Sequence, residues 1–415
     1  MEVTVYIFNL KVGTLYEDSG IVHFEYERDF IDTGINISPL KLPFQSTTYV
    51  NYDNKYFETL AGVFFDSLPD KFGTKVVQRY YESKNMQSRD LSVLQKLVFI
   101  GKRGMGALEY EPSEKVLNEL EAIEPLEIRS MYESSRKIIK GEPTEGIKEM
   151  LLFTNSGASA GGARAKAVVG WNKESNKIIG GAGVLPNGFE HWLIKFDDYD
   201  DKNQSLDFTK LEYLYMNMAK ECGIDIPELD LVVDKDLTHF VIKRFDRVNG
   251  EKIHMHSLAS MAHVDFNIPL HYSYDEALRV VRFITKDKRA IEEFYARAVF
   301  NVVARNQDDH AKNTSFLMSS AGEWSLSPAY DITYANGVGF TKNHQMSILG
   351  KVNNFTRDDL LQLAKNNDIK NAKAIAIINE VSRVVSSFYS RAETLGIRKD
   401  LIELVHTNLR TTIYL

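Results

Sequence analysis

The chain has 415 residues, 44% hydrophobic and 26% charged, with a formal net charge of −7. That length and composition suit a soluble globular protein of two or three domains, and no apolar run approaches the ~18–20 residues of a membrane span. The acidic balance, without a long Lys/Arg cluster, argues against autonomous DNA binding, and the single cysteine, Cys222, excludes an internal disulfide or a cysteine-rich zinc site.

Residues 1–125 read as an N-terminal α+β subdomain. Alternating runs Val3–Leu10 and Ile21–Tyr26 predict strands, and Phe57–Leu68 carries a helical pattern. The start lacks the basic and apolar regions of a signal peptide, so a cytoplasmic location is expected. A glycine-punctuated turn, Gly101 to Gly106, precedes the last strand, and the acidic stretch Pro112–Pro125 reads as a connector.

Residues 126–248 read as a strand-rich lobe with a small-residue loop, Ser156-Gly157-Ala158-Ser159-Ala160-Gly161-Gly162-Ala163-Arg164-Ala165-Lys166. Small residues let backbone N–H groups approach phosphate oxygens, and Arg164 and Lys166 add positive charge, although the Walker A pattern is absent. Lys195 closes the strand Trp192–Lys195 as a phosphate-binding strand lysine does. A helix follows over Phe208–Glu221, with Glu212 beside its apolar stripe as a partner for Lys195 or a solvated residue. A strand, His239–Arg244, leads to the hinge-like Lys243-Arg244-Phe245-Asp246-Arg247.

Residues 249–415 read as a mainly helical lobe. His254 and His256, two positions apart, suit a strand better than a zinc motif, and Lys286–Arg289 reads as a solvated helix face. Asn306-Gln307-Asp308-Asp309-His310-Ala311-Lys312-Asn313 lies between the apolar segment Phe294–Val303 and a predicted hairpin of Thr314–Met318 and Glu323–Leu326. Asp308 precedes Asn313 by five positions, the offset of base Asp and metal-binding Asn in a kinase catalytic loop. The hairpin would return the chain so that Asp331 lies near Asn313. Asp308 then reads as the base, Asn313 and Asp331 as hard oxygen ligands for Mg²⁺, Lys312 as a charge on the moving phosphoryl group, and His310 as a support for the loop. A core helix is predicted over Ala372–Phe388.

These residues together resemble the HipA family of serine/threonine kinases, the toxin half of bacterial HipA/HipB toxin–antitoxin pairs. The resemblance rests on Ser67-Leu68-Pro69-Asp70, Arg103 to Leu108, Gly161 to Lys166, Phe245-Asp246-Arg247, Asn306 to Asn313 and Pro328-x-Tyr330-Asp331. It implies an α+β, bilobal protein-kinase-like fold, its strand-rich N-lobe extended by an N-terminal subdomain and its C-lobe helical. It implies ATP and Mg²⁺ as cofactors, with Asp308 and Lys312 catalytic and Asn313 and Asp331 on the metal. Gly161, Gly162, Ala163, Arg164, Lys166, Lys195, His310 and Asn313 are the expected ATP contacts, and Lys243 and Phe245 would meet adenine through their backbones. Ser159 is the expected autophosphorylation site, with Ser156 and Thr154 near enough to compete; a phosphate there adds about −1.5 to −2 charge and would repel ATP. Two departures from the family pattern are Ala165 in place of proline and Lys243 in place of an acid.

The implied partners are a small helix-turn-helix antitoxin of HipB type, operator DNA only through that antitoxin, and no membrane. The family includes a kinase of glutamyl-tRNA synthetase, so an aminoacyl-tRNA synthetase is one candidate acceptor. Two further readings stand beside the growth-arresting kinase: a non-catalytic co-repressor or scaffold, and a small-molecule phosphotransferase. A metal-dependent phosphohydrolase lacks a second His/Asp cluster.

Overall fold

The opening alternation folds as strand, but in two pieces. In the computed structural model β1 (Glu2–Ile7) ends where Phe8 and Asn9 both take positive φ, and β2 (Leu10–Asp18) returns antiparallel beside it. Two successive left-handed residues give the twist that a two-residue hairpin needs, so the predicted single run Val3–Leu10 breaks there. The described residues are 1–51, 55–83, 91–113, 126–142, 165–181, 183–202, 204–268 and 271–414. They form two compact units: Met1–Phe196 with Val241–His263 and Ser315–Trp324, and Asp197–Phe240 with Val264–Thr314 and Ser325–Leu415.

In the first unit β3 (Ile21–Tyr26), β4 (Tyr49–Val50) and β5 (Leu108–Glu111) complete a sheet of order β4-β3-β2-β1-β5. Val3, Val5 and Ile7 point to one face and are fully buried against Phe24, Phe64 and Leu97. The helical pattern predicted over Phe57–Leu68 yields only Gly62–Phe65, because Glu58 and Thr59 are left-handed and end the preceding turn. Helix α1 (Lys71–Ser83) starts just after Asp70, and α2 (Val93–Ile100) carries a Ser92/Gln95 capping box. Beyond α3 (Ile128–Lys140), strand β6 (Lys166–Asn172) lies between β7 (Lys177–Gly180) and β8 (Glu190–Lys195), antiparallel to both. The strand His254–Ser257 pairs antiparallel with Ser315–Met318, and the turn predicted at 319–322 closes with Ser319 N–H on Glu323 O.

The second unit is mainly helical, with α4 (Phe208–Glu221) matching its predicted bounds. Glu212 on α4 is buried, which removes the solvated reading. Helices α5 (Tyr274–Thr285), α6 (Lys288–Ala304) and α7 (Asn371–Ser386) follow. Asp287 caps α6, and Arg289 at its start is exposed, as a solvated face requires. The architecture is α+β. Among the described residues, no helix is long and apolar enough to cross a membrane.

Two sequence motifs meet in the first unit. Asp246 is fully buried and accepts from Arg244 Nε at 2.9 Å, Arg247 Nη1 at 2.9 Å and Gly106 N–H at 2.7 Å. Arg247 also donates to the carbonyls of Gly104 and Gly106. Gly106 has φ +73°, and a Cβ there would come within 2.9 Å of Met255 N, so the turn admits only glycine. Burial pushes the Asp246 carboxyl up, but the two guanidiniums outweigh it and hold the group well below 3.8. The stability it confers is therefore present above pH 3.8 and is lost as the pH falls below that value. Asp246→Ala leaves two guanidiniums without their carboxylate and is expected to cost about 3–5 kcal/mol in urea unfolding of the full chain.

Candidate active site

The Asp308 loop begins where α6 ends. Arg305 turns left-handed as its C-cap, and Gln307 N–H and Ala335 N–H then exchange bonds with Ala335 O and Arg305 O at 2.9 and 3.0 Å. Asn306 and Ala335 form a parallel bridge. A second tie lies further on: Tyr330 Oη donates to the carbonyl of Lys312 at 3.0 Å. Arg297 on α6 adds a bond to Ser327 O. These bonds bring Pro328-Ala329-Tyr330-Asp331 beside the loop although it lies about one hairpin later in the chain.

The result is a cavity of about 30 Å³ lined by Asn306, Asp309, His310, Asn313, Tyr330 and Asp331. Asn313 Nδ2 donates to the Asp308 carbonyl at 2.9 Å, which turns its Oδ1 the other way, and that oxygen is buried with no donor among the described residues. Asn306 Oδ1 is in the same condition. Asp331 adopts φ +54°, a conformation that aspartate tolerates better than most residues. A space of that size is large enough for a cation or a water or two and too small for a nucleotide.

Adjacent aspartates have opposite surroundings. The Asp309 side chain is fully buried, accepting from Tyr274 Oη at 2.7 Å, His344 Nδ1 at 2.7 Å and Gln345 N–H at 2.7 Å. The Asp308 side chain is 34% exposed, with one oxygen 3.6 Å from His310 Nε2. His310 packs on Phe266 with ring centroids 4.5 Å apart, and Lys312 Nζ stands 5.5 Å from the centre of the same ring. Burial, with the Lys312 charge behind it, pushes His310 down to about 4. A neutral imidazole supports the loop.

The remaining expected residues stand in the first unit or outside the described ones. Lys195 ends β8 and is buried; Lys166 opens β6 directly across from it in the register and reaches Asp70 at 2.6 Å. Lys243 pairs its ammonium with Glu190, and Phe245 is half-buried. Ser159, Gly161, Gly162, Ala163 and Arg164, with Ser156 and Thr154, lie outside the described residues. His254 and His256 are fully buried on their strand, bonded to Ile37 O and to Asp66. Ser38 Oγ, His256 and Asp66 line up at 3.0 and 2.8 Å, the order of a hydrolase triad. Ser38 is wholly buried, however, and Asp66 is also bound by Ser257 and Ser260. No substrate reaches that serine, so the arrangement is a polar staple.

Two family profiles match the chain. The HipA N-terminal domain covers residues 3–111, and the HipA-like C-terminal domain covers residues 158–388, more than half the chain. The chain belongs to the HipA family. It is 26% identical over 247 residues to a protein named "Putative kinase Y4dM" from Sinorhizobium fredii, covering 53% of this chain and 57% of that one. It is 25% identical over 178 residues to a "Putative kinase" from Haemophilus influenzae, covering 36% and 52%. The chain thus spans little more than half the length of these curated relatives. Its fold matches a HipA from Shewanella oneidensis MR-1, solved with HipB and its operator DNA, at TM-score 0.68 and 16% identity over 99% of this chain and 95% of that one.

Sequence reasoning did not assign Asp309, Tyr274, His344 and Gln345, which hold this HipA-family loop. Asp309 carried a signal, since a second aspartate beside the candidate base needs its own partner; His344, 35 positions on, carried none. A neutral His310 has a direct test. Its ring resonances should not titrate between pH 8 and 5, and the stability lost to its protonation should appear only as the pH falls from 6.5 toward 4.

Proposed function

We propose that this chain is an ATP- and Mg²⁺-dependent protein serine/threonine kinase, the toxin partner of a HipB-type helix-turn-helix antitoxin. The observation that carries the reading is the cavity shared by Asn313 and Asp331, with a buried amide oxygen that has no donor among the described residues, next to the partly exposed Asp308. The donors are all hard oxygens, which fits Mg²⁺ better than a softer metal. Among the described residues no three His, Cys, Asp or Glu side chains are grouped to cage a metal by themselves. Magnesium commonly completes its shell with substrate phosphates and water, so two protein ligands suffice.

Asn313 and Asp331 would hold the ion, which when bound neutralises phosphate charge. Asp308, partly exposed and with one oxygen 3.6 Å from His310 Nε2, accepts the proton of the acceptor hydroxyl. Lys312 supplies positive charge beside the loop, and Lys195, with Lys166 and the glycine-rich loop, receives the nucleotide phosphates. Lys243 and Phe245 would offer backbone groups to adenine, since the Lys243 side chain is engaged by Glu190. Phosphorylation of Ser159 would silence the enzyme by repelling ATP. The acidic net charge favours operator contact through the antitoxin; the Shewanella HipA was solved in a complex with HipB and operator DNA. The acceptor is a cellular protein, an aminoacyl-tRNA synthetase being one candidate.

Asp308→Asn should lower phosphoryl transfer about 10²–10⁴-fold while leaving the fold and nucleotide binding intact. Incubation of wild-type and variant with γ-labelled ATP and cell lysate checks this. Label should enter a protein band with the wild type only; label on a metabolite would assign a small-molecule phosphotransferase, and equal toxicity of the variant would assign a non-catalytic scaffold.

A further inference from the structure

Lys166 and Lys195 face each other across β6 and β8, so their side chains leave the sheet on the same side. Both residues are buried. Like charges directly opposite destabilise a strand pair, and burial removes the water that would screen them. Among the described residues of the first unit, Asp70 brings a carboxylate to this point. Asp70 Oδ2 lies 2.6 Å from Lys166 Nζ, with side chains 4% and 3% exposed. Its other oxygen, Oδ1, accepts from Gly73 N–H at 2.7 Å and so caps α1. One residue thus caps a helix and neutralises a lysine.

We propose that Asp70 is a positioning residue that holds Lys166 while no nucleotide is bound and yields it to the polyphosphate when one arrives. The inference rests on the kinase reading, in which Lys166 receives nucleotide phosphates. A phosphate replaces the carboxylate as the anion beside Lys166, so the buried ammonium has a partner in both states. Nucleotide binding then includes the cost of breaking the Asp70 contact, and removing the carboxylate charge removes that cost. Asp70→Asn suits the test, because asparagine caps a helix about as well as aspartate and only the charge is lost.

The measurement is the thermal midpoint and calorimetric affinity of the full chain with Mg²⁺ and AMP-PNP. Relative to wild type, Asp70→Asn should melt lower without nucleotide, bind AMP-PNP more tightly, on the order of tenfold, and gain a larger nucleotide-induced rise in midpoint. Affinity unchanged or weakened in Asp70→Asn, with wild type binding normally, overturns the inference and leaves the kinase reading standing. Wild type that takes up no nucleotide overturns that reading, and the inference with it. Should Asp70→Asn fold poorly, Asp70→Ser decides, since serine also caps a helix and leaves room for water beside the lysine. Tighter AMP-PNP binding than wild type supports the handover, and unchanged or weakened affinity overturns it.

Discussion

A buried carboxylate persists only where donors answer its charge, and Asp309 is the case on which the candidate site depends. Three donors from two places in the second unit meet it: the Tyr274 hydroxyl on α5, and the His344 ring and Gln345 amide next to each other in the chain. Asn301 on α6 bonds the same Tyr274 hydroxyl and also Asn306, so the network reaches the start of the loop. With Asp309 fixed inward, the neighbouring Asp308 is left partly exposed, as its proposed role as general base requires. The proposed base and the residue that anchors its loop are adjacent aspartates with opposite surroundings.

The first unit uses the same device three times. Asp246 binds two arginines and the Gly106 amide, Asp66 gathers His256, Ser257 and Ser260, and Asp70 takes Lys166 together with the start of α1. Replacing such a pair by well-packed apolar groups is often neutral or stabilising, whereas removing one member alone is costly. A buried ion pair therefore fixes which segments must meet more than it adds net stability. That suits a unit assembled from three separated stretches of chain, where apolar surface alone would tolerate shifted packings.

Legibility in the sequence followed the range of the interactions. Elements set by local periodicity were readable: α4 has its predicted bounds, and Ile21–Tyr26 is the strand expected. The Val3–Leu10 run was misread because Phe8 and Asn9 are not the glycine-containing pair that usually announces a tight hairpin. The short helix at Gly62 was overestimated because apolar spacing there reflects packing around left-handed Glu58 and Thr59 rather than one continuous helix. At the site, the proximity of Asp331 to Asn313 was expected from the hairpin, yet the contacts that bring it about are the Tyr330 hydroxyl and the Ala335 bridge, which no local pattern encodes. Lys166 was expected to face phosphate; its partner Asp70, 96 positions earlier, belongs to a motif noticed only as a resemblance.

That pairing bears on why two domains recognised by separate profiles occur in one chain. Residues 3–111 and 158–388 could in principle fold as neighbours with an indifferent, wettable interface. They instead share charges that neither can leave unpaired. Asp70 of the first sits on Lys166 of the second, and Arg247 of the second binds the carbonyls of Gly104 and Gly106 in the first. Each bond is buried or nearly so, so packing the two segments strips water from these groups and the bonds between them compensate that loss. The N-terminal domain thus supplies the carboxylate beside Lys166, directly across β6 and β8 from Lys195.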